Sequence, residues 1–317
     1  MKAAIVKEKG TTPVYSTFEE PKSKEKNVLV NVKASALSNL TKMRALGNHY
    51  SADHIYPNVA GTDGVGEVDG KRVYFLATNA PFGSLAEQTL INKQLMVSLP
   101  DGIDDVTAAA IANPGMSSWA ALVSRVHFQA GQTVLINGAT GTAGSLAVKI
   151  AYHLGAKKII VTGRNATKLA KLEADKAVAF DMDKSDGANQ LTNDLAEVFK
   201  DGVDVVLDYL WGDSALAIMT AVAKFGGHHV TKFVSIGASA GQNEIALPSA
   251  VLRSSAIEIL GSGVKSATMP ELLSAIKGVF EWAAQEKIEI PVNEFDLADI
   301  EKAWQAPLNP RAVVVMK

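Results

Sequence analysis

The stretch TVLINGATGTAGSLAVKIAYHLGAKKIIVTGRN, Thr133 to Asn165, decides how the rest of the chain is read. Thr133–Asn137 is a short apolar run of β-forming residues, and a glycine-rich segment, Gly138 to Gly144, follows without a gap. From Ser145 to Leu154 the residues Leu146, Ile150 and Leu154 recur at helical spacing. Gly155-Ala156 ends that helix, and Lys158–Thr162 reads as a second buried strand. Strand, glycine turn, helix and strand within about thirty residues form the frame of a dinucleotide-binding fingerprint.

The chemistry follows from the spacing. In Ala139-Thr140-Gly141-Thr142-Ala143-Gly144 the pattern is A-x-G-x-x-G, with Ala139 where the first glycine usually stands. Gly141 leaves room for backbone to approach a pyrophosphate, and Gly144 lets the helix pack closely on the strand. The opening N–H groups of the helix lie at the positive end of its dipole and suit phosphate. A glycine turn that binds nothing is the bland alternative.

The end of the second strand selects the dinucleotide. Preference for NAD usually places Asp or Glu there, accepting hydrogen bonds from ribose hydroxyls. Here the sequence is Thr162-Gly163-Arg164-Asn165, with Gly163 at the acid's position. The Arg164 guanidinium suits a 2′-phosphate, and Lys168, one turn on, adds charge. The expected cofactor is therefore NADPH, the competing reading being that Arg164 only solvates a loop.

Composition sets the bounds. The chain has 317 residues, 47% hydrophobic and 20% charged, a globular balance with room for two domains. A net charge of −2 gives no electrostatic case for nucleic acid or an anionic membrane. No apolar run reaches the roughly eighteen residues of a membrane helix, and MKAAIVKEKG reads as a strand rather than a signal peptide, so the expected location is the cytoplasm. With no cysteine there is neither disulfide, thiolate nucleophile nor cysteine-ligated zinc. The six histidines include no HExxH and no i,i+4 pair, and no metal site is expected.

Before the fingerprint, residues 1 to about 113 are strand-rich: Lys2–Val6, Asn27–Ala34, Val65–Val68, Val73–Leu76 and Ser84–Ile91, with a tight hairpin at Glu67–Arg72. Helices are expected at Val106–Ala112 and Met116–Val126, separated by a break at Asn113-Pro-Gly115. After the fingerprint, helices near Ala166–Ala174, Ala188–Phe199 and Ser214–Lys224 alternate with strands Ala177–Phe180, Val203–Asp208, Lys232–Ile236 and Ala256–Leu260. Such alternation implies an α/β fold, a doubly wound parallel Rossmann sheet, with ligand groups at the carboxyl ends of its strands. Those ends include Asp208–Trp211, Gly237–Ser239 (hence Gly237 and Ser239 as binding candidates) and Gly261–Gly263. The tail reads as a helix at Pro270–Lys287, a strand at Ile288–Ile290, a helix at Leu297–Trp304 and a strand at Ala312–Met316.

Taken together, Val28–Ala34, Gly61-Thr-Asp-Gly-Val-Gly66, Gly83-Ser-Leu-Ala-Glu87, Leu99-Pro-Asp-Gly102, the fingerprint and Gly202–Asp208 resemble the medium-chain dehydrogenase/reductase superfamily, in its zinc-free quinone oxidoreductase branch. The resemblance implies a discontinuous GroES-like β-rich catalytic domain, 1–113 with 264–317, and a Rossmann domain, 114–263. Zinc-dependent members carry a Cys near Ser38 and a His-Glu pair near Thr62-Asp63; here Ser38 and Thr62 are poor ligands, and Asp63 cannot hold zinc alone. Without that Lewis acid nothing lowers an alcohol's pKa, whereas an already polarised acceptor needs no metal.

Site roles come from the same resemblance. Gly47-Asn-His-Tyr50 is similar to the Gly-Asn-Tyr stretch of 2-enoyl-thioester reductases, whose tyrosine is the proposed proton donor, so Tyr50 is the catalytic candidate, with His49 as another donor. Asn39 and Ser38 are expected on the nicotinamide side. Ser117 aligns with a threonine contacting the nicotinamide riboside, and Arg311 with a basic residue reaching the pyrophosphate. The implied activity is NADPH-dependent hydride transfer to a small molecule, a quinone or an α,β-unsaturated carbonyl. The alternatives are a 2-enoyl-thioester reductase and, from another class, a non-enzymatic NADPH-binding sensor or structural protein. A homodimer built through a sheet edge at Val230–Ile236 or Ala256–Leu260 is also implied.

Overall fold

The computed structural model describes residues 1–23, 26–49, 51–263 and 265–317. Two compact units result, Met1–Asn113 with Ile276–Lys317, and Pro114–Ala275.

The first unit opens with β1 (Lys2–Val6), in which Ala3–Val6 is a continuous buried apolar run, then β2 (Val14–Thr17) and β3 (Asn27–Ala36). A short helix, α1 (Asn39–Ala45), precedes β4 (Asn58–Val59), β5 (Asp63–Val68) and β6 (Lys71–Leu76). The expected hairpin is present: Val68 pairs with Lys71, and Asp69 and Gly70 between them have φ of 51° and 73°. Two positive φ values make a two-residue turn whose twist matches the strands, which is why Asp-Gly stands there. Next come β7 (Gln88–Asn92) and β8 (Met96–Ser98).

α2 (Asp105–Trp119) runs straight through Pro114, where the sequence pattern predicted a break. Proline removes one helical N–H but does not force an end where tertiary burial holds the helix, and here Ala108–Ala112 are fully buried; the side chains of Ser117 and Ser118 donate to the Pro114 carbonyl at 2.8 and 3.2 Å. The helix continues as a π-helical segment, Ala120–Arg125.

The second unit alternates strands and helices: β9 (Thr133–Asn137), α3 (Thr142–His153), β10 (Lys158–Gly163), α4 (Ala166–Leu169), β11 (Lys176–Ala179), α5 (Gly187–Asp194) and α6 (Ala196–Lys200). β12 (Val205–Asp208), α7 (Gly212–Phe225), β13 (Thr231–Ser235), α8 (Ser249–Arg253) and β14 (Ile257–Gly261) follow. Its six strands pair in the order β11-β10-β9-β12-β13-β14, every pair parallel. That order reverses direction beside β9, the switch point where open α/β sheets bind ligands. The all-apolar faces of Val134–Ile136 and Val205–Leu207 are fully or almost fully buried, as a sheet covered on both sides requires.

α9 (Met269–Glu286) carries the chain back, and the return to the first unit falls inside it, later than the expected 264. The strand expected at Ile288–Ile290 is displaced to β15 (Val292–Asp296), because Pro291 has no N–H to give a ladder. α10 (Ile300–Gln305) and β16 (Arg311–Val315) complete a seven-stranded sheet with β15-β16-β3-β5-β6-β8, β7 also pairing β3, beside the three-stranded β2-β1-β4. Among the described residues no helix is long and apolar enough to cross a membrane.

Candidate active site

β9 delivers Asn137 to the switch point, and Gly138 turns the chain at φ 89°. The N–H groups of Gly138 and Ala139 donate to the Thr162 carbonyl at 2.9 and 3.1 Å, tying the turn to β10. A Cβ on Gly144 would lie 2.4 Å from the Gly138 oxygen and 2.6 Å from Ala139 Cα, both backbone atoms that cannot move aside. Gly141 differs, since a Cβ there would meet only the Gly138 oxygen at 3.8 Å. Gly141 is the N-cap of α3 and has no capping side chain. The front of the glycine turn is therefore open while its back is sealed. Gly144→Ala should cost about 1–3 kcal/mol by overpacking, whereas Gly141→Ala should leave the melting temperature within a degree or so; paired thermal melts check both.

Gly163 ends β10, buried, and a Cβ added there would lie 3.5 Å from the Thr140 methyl, an ordinary contact distance. Arg164 is exposed and lines a cavity of about 190 Å³ with Ala179, Phe180, Asp181, Lys184 and Gln190. Asn165 caps α4, its Oδ1 accepting the Lys168 N–H at 2.9 Å. Lys168 itself does not line the cavity; the second cation there is Lys184, from the loop after β11, 4.0 Å from Asp181. Lys184 reaches this cavity, far from Arg164 in sequence, because the loop after β11 folds back to the end of β10.

At the end of β12 a buried network was also missed. Asn137 Nδ2 donates to Asp208 Oδ1 at 2.8 Å and to Ser214 at 3.1 Å, while Thr162 donates to Asn137 Oδ1 at 2.7 Å. Burial pushes the Asp208 carboxyl up to about 6, against the pull of Asn137 and the N–H groups of Leu210 and Trp211. Trp211 has φ 60° and ψ −163°, a conformation that is essentially glycine's and costs about 1–3 kcal/mol. Tyr209 joins further expected residues: its hydroxyl pairs with Ser118 at 2.7 Å, and its carbonyl accepts Ser239 Oγ at 2.6 Å. Gly237 packs so closely that a Cβ would lie 2.9 Å from that carbonyl. Ser117 is also a partner of the Tyr209 phenol, which burial pushes up to about 12. The second unit thus gathers the fingerprint, Gly163–Asn165, Ser117, Gly237 and Ser239 at one end of its sheet.

Asn39 and Arg311 belong to the first unit. Ser38 is the N-cap of α1, its Oγ accepting the Thr41 N–H at 3.0 Å, while Asn39 begins the helix exposed. Tyr50 lies outside the described residues. His49 pairs through Nδ1 with Ser51 Oγ at 2.7 Å, and burial with the nearby Arg44 charge lowers its pKa, favouring neutral imidazole. Arg44 pairs with Asp53 at 2.8 Å on the wall of a small cavity, about 40 Å³, also lined by Thr41, Tyr56 and Thr62.

Asp63 is buried, and both carboxylate oxygens are engaged, Oδ1 by Thr62 Oγ1 at 2.5 Å and Oδ2 by the Tyr74 hydroxyl at 2.8 Å. Burial pushes its carboxyl up, opposed by these bonds and by the charge of Arg311. Arg311, expected to extend to a pyrophosphate, is 6% exposed beside Asp63, and its Nε has no hydrogen-bond partner among the described residues. Ser38 and Asp63, which occupy the zinc-ligand positions implied by the resemblance, are thus committed to internal bonds. Among the described residues no group of three or more His, Cys, Asp or Glu side chains converges.

Comparison with known proteins agrees with this architecture. Residues 143–278 match the family described as zinc-binding dehydrogenase. A probable NADPH-dependent quinone reductase of Emericella nidulans is 26% identical over 92% of this chain and 93% of its own. The chloroplastic NADPH-dependent alkenal/one oxidoreductase of Arabidopsis thaliana is 31% identical over 66% of this chain, which spans 57% of that longer protein. The quinone oxidoreductase of Thermus thermophilus, solved also in complex with NADPH, superposes with a TM-score of 0.80 and 25% identity, over 99% of this chain and 100% of that one. Fold, fingerprint and these relatives support the resemblance to the medium-chain dehydrogenase/reductase superfamily and its quinone oxidoreductases.

Proposed function

We propose that the protein is an NADPH-dependent reductase of small quinones or α,β-unsaturated carbonyls. The observation that carries this reading is Arg164 on the wall of a cavity at the end of β10, where Gly163 replaces a ribose-binding acid. The residues fit the cofactor: an open Gly141, a sealed Gly144, and two cations, Arg164 and Lys184, in reach of one cavity. When bound, the nicotinamide supplies the hydride; the chain binds, orients and excludes water. The second unit is the cofactor unit in this reading and the first carries the acceptor side, with Asn39 and Tyr50 as polar candidates.

Relatives named for NADPH-dependent quinone and alkenal/one reduction support this assignment. The test is turnover: a naphthoquinone and an enone should be reduced with NADPH at least tenfold more efficiently than with NADH. Crotonyl-CoA in the same assay tests the thioester alternative. Oxidation of none of the three, with NADPH still bound, would favour a sensor or structural role. Because the Ser38 and Asp63 oxygens are spent on internal bonds, EDTA should leave turnover unchanged; a chelator-sensitive enzyme would contradict the zinc-independent reading.

We further propose a cytoplasmic homodimer built through the edge of β14, where Ile259 is 39% exposed, near Val230 at 48%. An open apolar edge invites pairing with a second copy. Sedimentation equilibrium should give twice the 33.5 kDa chain mass.

A further inference from the structure

Asp208 sits at the end of β12 with no exposed surface, yet three N–H donors converge on it. Besides Asn137, the backbone N–H groups of Leu210 and Trp211 approach Asp208 Oδ1 at 3.2 and 3.3 Å, and that of Trp211 approaches Oδ2 at 3.1 Å. The loop so held is the strained one, with Trp211 at φ 60°. It lies on the glycine turn: a Cβ added to Gly138 would come 2.9 Å from Leu210 Cγ. One carboxylate thus fastens the loop after β12 and, through Asn137 and Thr162, the ends of β9 and β10.

We propose that Asp208 is the positioning residue of the dinucleotide cradle: its ionised carboxylate holds the Tyr209–Trp211 loop against the glycine turn, and its protonation or loss loosens cofactor binding. The inference rests on the reading that this cradle takes NADPH. A protonated carboxyl would turn one acceptor oxygen into a donor facing N–H groups, and the strained loop would lose its restraint. Among the described residues that bond to Asp208 or feel its charge, Tyr209 is the titratable one, and its phenol stays neutral. Asn137 on β9, Ser214 on α7 and Ser235, its register partner on β13, do not ionise. Asp213, the acid in the first turn of α7, turns to Gln242, whose Nε2 donates to it at 3.0 Å.

The sign of the linkage separates this role from a structural one. A carboxyl whose folded pKa is raised stabilises the fold when protonated, so ionised Asp208 costs stability above about pH 6, and the cost is relieved as pH falls toward the unfolded value. Stability and cofactor affinity should therefore move in opposite directions across that interval. A merely structural carboxylate gives no such opposition.

The experiment measures dissociation constants by fluorescence between pH 5 and 8.5 for the wild type, Asp208→Asn and Trp211→Gly. The 2′-phosphate also titrates near pH 6, so NADH is measured beside NADPH. Wild-type affinity for both should fall by up to about fourfold from pH 7.5 to 5.5, the loss of ionised carboxylate expected of a group titrating at about 6. Asp208→Asn should bind at least tenfold more weakly at pH 7.5, with a flat NADH profile and no loss of melting temperature at pH 5.5. Trp211→Gly, whose loop needs no restraint, should bind with a flat profile; it also serves if Asp208→Asn does not fold. A flat wild-type NADH profile, superimposable wild-type and variant profiles, or affinity rising as pH falls would overturn the proposal alone. Failure of the wild type to bind either dinucleotide at pH 8 would overturn the NADPH reading with it.

Discussion

Arg164→Asp is expected to raise the KM for NADPH by roughly 10²-fold while changing that for NADH by no more than a few-fold. A charge-assisted hydrogen bond is worth about 1.5–3 kcal/mol, and reversing the charge adds repulsion to the loss. At 1.4 kcal/mol per tenfold, about 3 kcal/mol is the 10²-fold expected. The new carboxylate would stand one residue beyond Gly163, the ribose-binding acid's position, and NADH carries no 2′-phosphate, so NADH has little to lose there. Lys184→Ala should have the same sign and a smaller size, because its side chain is largely exposed and already shares Asp181. Steady-state kinetics with both dinucleotides provide the check. Equal rises in the two KM values would remove the phosphate argument.

Asp63→Ala is expected to cost about 3–5 kcal/mol of stability, a large share of the roughly 5–15 kcal/mol that holds a domain. The carboxylate is the counter-charge of Arg311, a guanidinium too buried to be solvated and too basic to lose its proton. Removing Asp63 withdraws the opposing charge from that buried cation and also orphans the hydroxyls of Thr62 and Tyr74. The double variant Asp63→Ala/Arg311→Met should recover much of the loss, since replacing a buried pair with apolar groups is far milder than breaking it. Denaturant melts at pH 7 measure both; a double variant as unstable as the single one would show that the uncompensated Arg311 charge is not the source. Asp63→Asn should fall between, because its amide oxygen keeps one acceptor.

Much of the fold was legible because its signals are local. The βαβ frame from Thr133 to Gly163 follows from apolar spacing and three glycines, all within one stretch. The Asp69-Gly70 hairpin likewise carries its own geometry. β2 and β4 escaped notice because they are four and two residues long and are strands only by pairing with β1. Pro114 misled, since propensity alone does not register the burial that carries a helix past a proline. In the site, Arg164 could be read from its place at a strand end, but Lys184 arrives from a later loop. The Asn137–Asp208 bond depends on the register of β9 against β12, which no local pattern specifies.

The arrangement of β3 has a consequence for how the chain matures on the ribosome. Its residue Ala36 pairs with Val313 of β16, so a strand made early waits for one made almost last. In the interval the intervening α/β segment, Pro114–Ala275, is complete and able to form its own core. Synthesis from the amino end should therefore produce a cofactor-competent middle before a finished first unit. Nascent chains arrested after Ala275 should already shield β9 and β12 from protease, while the carboxyl end of β3, Ala34–Ala36, keeps one edge unpaired until β16 is released.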